Sequence, residues 1–175
     1  MTDNPINIFL VGMPASGKTT LGKELAEKLG LKFIDLDQLI EQEVDMSIPE
    51  YFKFQGEANF RLKEKEALAD VCSNQENFIL STGGGTPCFH YNMDTMKRKG
   101  KVIYLDVNPG DLALRILEEG VEERPIFKSY DQTDLIEEIR SLREKRESFY
   151  QQADIKIRDN RLTAEKIISN LGLGS

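Results

Sequence analysis

Residues 12–19 read Gly-Met-Pro-Ala-Ser-Gly-Lys-Thr, set between the apolar run Ile6-Asn7-Ile8-Phe9-Leu10-Val11 and a helical pattern over Thr19 to Leu29. A strand that turns into a helix through such a loop constrains the fold strongly. Its backbone N–H groups curl around an anion at the positive end of the helix dipole. The string is the Gly-x-x-x-x-Gly-Lys-Thr phosphate loop, in which Lys18 adds a mobile positive charge and Thr19 offers a hydroxyl to Mg²⁺. A glycine turn with no ligand would also satisfy the string, but the strand before it and the helix after it favour a nucleoside triphosphate.

Further β-rich runs follow at Lys32–Asp35, Phe78–Ser81, Lys101–Val107 and Asp154–Ile157, alternating with helical patterns. That order predicts an α/β fold, a three-layer sandwich with a five-stranded parallel sheet covered on both faces. Between the second and third runs, Leu39 to Asn74 is longer than a simple crossover, breaks near Gly56 and could form a substrate-binding flap. Ser47, Asp111 and Thr163 mark helix starts. Glu118 to Pro125 mixes glycine, charge and proline and reads as a mobile loop, with a lid as one possibility.

At 175 residues the chain is long enough for one domain with a substantial core. The formal net charge of -7 argues against nucleic acid or an anionic membrane as the main partner. Neither a spanning apolar run nor a signal peptide is visible, which points to the cytoplasm. Cys72, Cys88 and the lone His90 have no metal-ligand spacing; the cysteines read as free thiols and His90 as a loop or helix-cap residue.

The chemistry-bearing residues cluster at strand ends. Alternation along Phe33-Ile34-Asp35-Leu36-Asp37 places Asp35 and Asp37 on one side, where the ligand crevice of an open parallel sheet lies. The plainer alternative makes Asp37 a helix cap and leaves Asp35 facing water. From Gly56 a helix runs on through Arg61 to Val71, and Glu64 falls inside its apolar stripe of Phe60, Ala67, Leu68 and Val71, so it needs a cationic partner. Arg61 suits either a surface pair with Glu57 or a fork for a carboxylate or phosphate. Thr82-Gly83-Gly84-Gly85 lets backbone approach a ligand closely. Arg124 and Arg146 are further cations that could converge on substrate, although Arg146 by pattern passes for a solvated residue of the helix Asp134 to Ala153.

Together these segments resemble the shikimate kinase family over nearly the whole chain: Gly12 to Thr19, Phe33 to Asp37, Gly56 to Arg61 with Glu64, Thr82 to Gly85, Arg124-Pro125, and Lys145-Arg146 before Phe149-Tyr150. The resemblance implies a P-loop kinase that transfers the γ-phosphoryl of ATP to the 3-hydroxyl of shikimate, giving shikimate 3-phosphate and ADP on the route to chorismate and aromatic amino acids. It implies ATP contacts from Gly12, Ala15, Ser16, Gly17, Lys18, Thr19, Thr20 and Arg124. Shikimate would meet Asp37, Arg61, Gly83, Gly84 and Arg146, with Arg61 and Arg146 on its carboxylate. Lys18, Asp37 and Arg124 would be catalytic, and Thr19 and Asp35 would hold Mg²⁺. One domain over residues 1–175 is implied, with the insertion at about 38–74 and the lid at about 117–128, acting as a monomer.

Some positions depart from the family pattern. Ala15 stands where glycine is frequent, the lid reads Arg-Pro-Ile-Phe, and Leu117 occupies the place where many members carry an arginine that packs on adenine, a role Arg115 could take. The adenine-side loop is expected near Arg158 to Leu162. Competing readings are another small P-loop metabolite kinase such as a gluconate kinase, a nucleoside monophosphate kinase, whose phosphate acceptor the paired aspartates would oppose, and a non-catalytic ATP-binding relative.

Overall fold

The computed structural model of the chain describes residues 5–119, 132–158 and 162–172. Five strands, β1 (Asn7–Val11), β2 (Lys32–Asp35), β3 (Phe78–Ser81), β4 (Lys101–Leu105) and β5 (Ile155–Ile157), form one sheet in the order β2-β3-β1-β4-β5. Every neighbouring pair is parallel. The helices are α1 (Lys18–Leu29), α2 (Leu36–Val44), α3 (Ile48–Asn74), α4 (Asn92–Lys99), α5 (Pro109–Glu119), α6 (Gln132–Tyr150) and α7 (Ala164–Leu171).

β1 is central, and all five of its residues are buried, which explains why its apolar run is continuous rather than alternating. Period-2 geometry then divides its side chains between two cores. Phe9 and Val11, with Phe78, Leu80, Val102 and Tyr104, pack under the layer of α2 to α6. Ile8 and Leu10, with Ile79, Ile103 and Leu105, pack against Leu21 and Leu25 of α1 and Ile167 of α7. The expected three-layer α/β arrangement is therefore present.

Register brings the functional strand ends level. Ser81 is paired with Leu10 of β1 and with Asp35 of β2, so the phosphate loop, the acid of β2 and the glycine turn after β3 leave the sheet on one edge. This is the edge on which ligands sit in open parallel sheets.

Several local expectations need correction. Asp37 is not on the strand: β2 ends at Asp35, whose side chain caps α2 by accepting from the N–H groups of Asp37 and Gln38. α5 starts at Pro109 rather than Asp111, because the Asn108 side chain caps it, its Oδ1 accepting from the Asp111 N–H at 2.9 Å. At Gly56 the expected break is present: the residue is non-helical, at φ 79 and ψ 165, and two helical segments of α3 meet there at a kink. Glu118 and Glu119 belong to α5, while residues 120–131, with the rest of the expected lid and Arg124, lie outside the described residues. α6 ends at Tyr150, short of Ala153.

The start of α3 is built as a reciprocal cap. The Glu50 N–H donates to Ser47 Oγ at 3.4 Å, the Ser47 N–H donates to Glu50 Oε2 at 3.0 Å, and a proline occupies the first turn. Thr163 caps α7 in the same sense. Replacing Ser47 with alanine should remove about 1 kcal/mol. In a thermal melt this should appear as a fall in Tm of about 2–4 °C.

Candidate active site

Gly12 leaves β1 at φ 149, in a region closed to most side chains, and a Cβ there would lie 2.8 Å from the Leu105 carbonyl oxygen. Glycine is required for the loop to pass between β1 and β4. Ala15 holds φ 65, a left-handed conformation that costs an L-residue about 1–2 kcal/mol. Within the loop, Lys18 Nζ donates to the carbonyls of Gly12 and Met13, each at 2.9 Å, and to Ser16 Oγ at 3.3 Å. Lys18 is only 8% exposed, so its charge is concentrated at the loop mouth.

Thr19 Oγ1 donates to Asp35 Oδ2 at 2.8 Å and lies 3.4 Å from Ser81 Oγ. Hydroxyl and carboxylate oxygens beside a phosphate loop are the hard donors that suit Mg²⁺, which takes few protein ligands and completes its shell with phosphate and water. Among the described residues no group of three or more His, Cys, Asp or Glu could hold a metal ion. The hydroxyl of Thr19 and the carboxylate of Asp35, 2.8 Å apart, fit Mg²⁺ as oxygen donors.

A cavity of about 600 Å³ runs along this edge, lined by the phosphate loop from Pro14 to Thr20, Asp35, Asp37, Ser81 and Gly83-Gly84, and also by Arg115, Glu119 and Leu162. Both aspartates thus face one space, as alternation suggested, but Asp37 reaches it from the first turn of α2. The Asp37 carboxyl is raised to about 6, first by burial and then by the charges of Glu64 and Asp35, with Lys18 opposing them. Such a group changes protonation near neutral pH, as a proton acceptor in turnover should.

Glu64 is fully buried and has the cationic partner that its place in the α3 stripe requires. Arg61 Nη1 donates to Glu64 Oε2 at 3.0 Å, and Thr86 Oγ1 donates to Glu64 Oε1 at 2.6 Å. A Cβ on Gly83 would lie 3.0 Å from Asp37 Oδ1 and 3.2 Å from Glu64 Oε1, so the two carboxylates flank that glycine. Arg61 does pair with Glu57, at 3.3 Å, yet it is 9% exposed and is not a surface residue.

Arg61 and Arg146 abut the glycine turn rather than lining the cavity wall. A Cβ on Gly84 would meet Arg146 Nη1 at 2.7 Å, and one on Gly85 would meet Arg61 Nη2 at 2.7 Å. Arg146 Nη1 is buried with no hydrogen-bond partner among the described residues, which corrects its reading as a solvated helix residue. An orphaned guanidinium nitrogen near the buried Arg61 calls for an anion.

Three features escaped the sequence. The Tyr150 hydroxyl donates to the Gly84 carbonyl at 2.6 Å; it lies one turn beyond Arg146, a spacing that could have marked it. Burial raises its hydroxyl far above the usual range and keeps it a donor. Asp106, at the end of β4, accepts from Arg143 Nη2 at 2.5 Å and lies 3.2 Å from Arg158 Nε, tying α6 to the sheet. Thr86, just after the triple glycine, was visible only as its neighbour. Arg115, expected near adenine, lines the cavity and donates to the Ala15 carbonyl at 3.1 Å, and Leu162 lies beside it; residues 159–161 are outside the described residues. Cys88 is pushed up to about 11 by burial and is a neutral thiol.

The shikimate kinase family model matches residues 14–172. The chain belongs to the shikimate kinase family. It is accordingly an ATP-dependent kinase. A shikimate kinase of Bacteroides thetaiotaomicron is 44% identical over 148 residues, 85% of this chain and 83% of the relative. The crystal structure of shikimate kinase from that organism superposes with a TM-score of 0.86 at 40% identity, covering 96% of this chain and 97% of the other. The Acinetobacter baumannii shikimate kinase in complex with shikimate superposes at 0.82 with 31% identity, covering 95% and 90%.

The raised Asp37 carboxyl carries a stability cost with a defined sign. Its ordinary value is 3.8 and its folded value about 6, so below pH 3.8 both states bind the proton and nothing is lost. The cost grows between these values and is complete above about 6, where it reaches on the order of 3 kcal/mol. Asp37→Asn should therefore raise Tm at pH 8 and leave it nearly unchanged at pH 4. Melts at the two pH values check this.

Proposed function

We propose that this chain phosphorylates the 3-hydroxyl of shikimate with ATP, with the acceptor seated against the Gly83–Gly85 turn and the triphosphate in the loop from Gly12 to Thr19. The observation that carries this reading is the convergence of one raised aspartate, the buried Arg61 and the half-buried Arg146 on that turn, next to the phosphate loop. Shikimate offers one carboxylate and a ring of hydroxyls, and this set matches them: Arg61 and Arg146 take the carboxylate, while Asp37 accepts from the hydroxyls.

Asp37 orients the attacking oxygen and takes its proton. Because phosphoryl transfer needs alignment and charge stabilisation more than a strong base, a carboxyl near 6 is basic enough. Lys18 lies at the loop mouth, where charge accumulates on the transferred group, and can exchange its bonds to Gly12 and Met13 for phosphate oxygens. Arg124 is assigned to the same charge from outside the described residues. Thr19 and Asp35 would hold Mg²⁺, which neutralises phosphate charge when bound. Gly12, Ala15, Ser16, Gly17 and Thr20 complete the ATP contacts, and Arg115 and Leu162 border the end where the base would lie.

The wider reading is of one domain that works as a monomer in the cytoplasm, with the insertion at about 38–74 holding the acceptor and the lid at about 117–128 excluding water during transfer. Among the described residues no helix is long and apolar enough to cross a membrane. The net charge of -7 disfavours nucleic acid.

Coupled ADP release with Mg²⁺-ATP tests the proposal, with shikimate, gluconate and no acceptor run in parallel. Turnover should depend on shikimate alone; gluconate-dependent turnover, or none with either, overturns it. Arg61→Ala and Arg146→Ala should each raise the KM for shikimate roughly 10- to 100-fold, the loss of a charge-assisted contact, and leave the KM for ATP within about twofold.

A further inference from the structure

Arg61 is held on its face as well as along its edges. Its Cζ lies 4.3 Å from the centroid of the Phe89 ring, closer than to Phe60 at 5.2 Å or Phe52 at 5.9 Å. Phe89 follows the single 3₁₀ turn Thr86–Cys88, which itself begins beside Gly85. That turn is fixed by backbone bonds from Cys88 N–H to the Gly85 carbonyl and from Asn92 N–H to the Phe89 carbonyl, each at 2.9 Å. Asn92 Nδ2 also donates to the Thr86 carbonyl at 3.0 Å. A Cβ on Gly85 would lie 2.7 Å from Nη2 and 2.9 Å from both Cζ and Nη1 of Arg61, so Gly85 too lies against the guanidinium. One short turn supplies both contacts.

The edges are partly committed. Arg61 Nε and Nη2 donate to Glu57 Oε1 at 3.4 and 3.3 Å, and Nη1 donates to Glu64 Oε2 at 3.0 Å. Of the five N–H groups of a guanidinium, this leaves one on each terminal nitrogen with no partner among the described residues. Two N–H groups in one plane match the two oxygens of a carboxylate, but only if that plane does not rotate. Glu57 is well exposed and holds its edge weakly, and Glu64 fixes one terminal nitrogen without fixing rotation about it, so the plane depends on the ring as well as on Glu64.

We propose that Phe89 is a positioning residue for the acceptor: its ring fixes the plane of the Arg61 guanidinium so that the two remaining N–H groups meet a planar carboxylate edge-on. This rests on the reading of Arg61 as the acceptor's carboxylate ligand. Phe89 touches neither reacting group, and its effect reaches the acceptor through Arg61 alone. The contact is an interaction of a cation with the face of an aromatic ring, so tyrosine preserves it and an aliphatic side chain of similar bulk does not.

The test is steady-state ADP release by the full chain, varying shikimate and ATP in turn, for Phe89→Leu, Phe89→Tyr and Arg61→Ala. Phe89→Leu should raise the KM for shikimate about five- to tenfold and leave the KM for ATP within about twofold, while Phe89→Tyr stays within about twofold of the parent for both. An unchanged KM for shikimate in Phe89→Leu overturns the proposal, as does a tyrosine variant impaired as much as the leucine one. Should Phe89→Leu fail to fold by thermal melt, Phe89→Met carries the same comparison. Arg61→Ala separates the two layers. If it raises the KM for shikimate while Phe89→Leu does not, only the role of Phe89 falls; if it leaves that KM unchanged, the reading of Arg61 falls and the proposal with it.

Discussion

A carboxylate removed from water must find compensation inside the protein, and Glu64 finds it by organising everything around it. Its two oxygens accept from Arg61 on the same helix and from Thr86 on the turn after β3, so α3 and the glycine turn are locked by one charge. The charge that remains acts across Gly83 on Asp37 and adds to the effect of burial there. Orientation of the arginine, closure of the turn and basicity of the aspartate therefore share a single buried group. Removing it would leave Arg61 without its closest anion and Thr86 without its acceptor, a kind of loss that commonly costs about 3–5 kcal/mol.

The sheet supplies the frame that makes this arrangement useful. With β1 buried between β3 and β4, the phosphate loop and the glycine turn emerge side by side, and Asp35 follows from β2 at the same level. On the other side, α6 is tied to the end of β4 through Asp106 and Arg143, and Tyr104 stacks on Tyr150 with centroids 4.9 Å apart. These contacts bring Arg146 and the Tyr150 hydroxyl down on Gly84. Acceptor and nucleotide machinery thus rest on rigid elements.

What could be read from the sequence was what lies close together along the chain. The phosphate loop, the helix start at Ser47 and the apolar stripe that encloses Glu64 are local patterns, and each is present where its spacing placed it. Asp37 is an intermediate case. Alternation placed it on the same side as Asp35, and it does share the cavity, but a helix turn puts it there because Asp35 is a better cap than a strand residue. Arg146 was a candidate through the family resemblance, but helical pattern alone could not single it out, since α6 carries Arg140, Arg143 and Lys145 at neighbouring positions and the contact with β4 helps decide which of them turns inward. Phe89 was hidden for a similar reason: its partner is 28 positions earlier in the chain, and no short spacing connects them.

The account depends on Asp37 having a high proton affinity because it is buried beside Glu64. The most direct measurement is a ¹³C NMR titration of the Asp37 side-chain carboxyl in the parent chain and in Glu64→Gln. The account predicts a midpoint of about 6 in the parent and a lower one once the Glu64 charge is gone. A parent midpoint near the ordinary 3.8, or the same midpoint in both proteins, would contradict it.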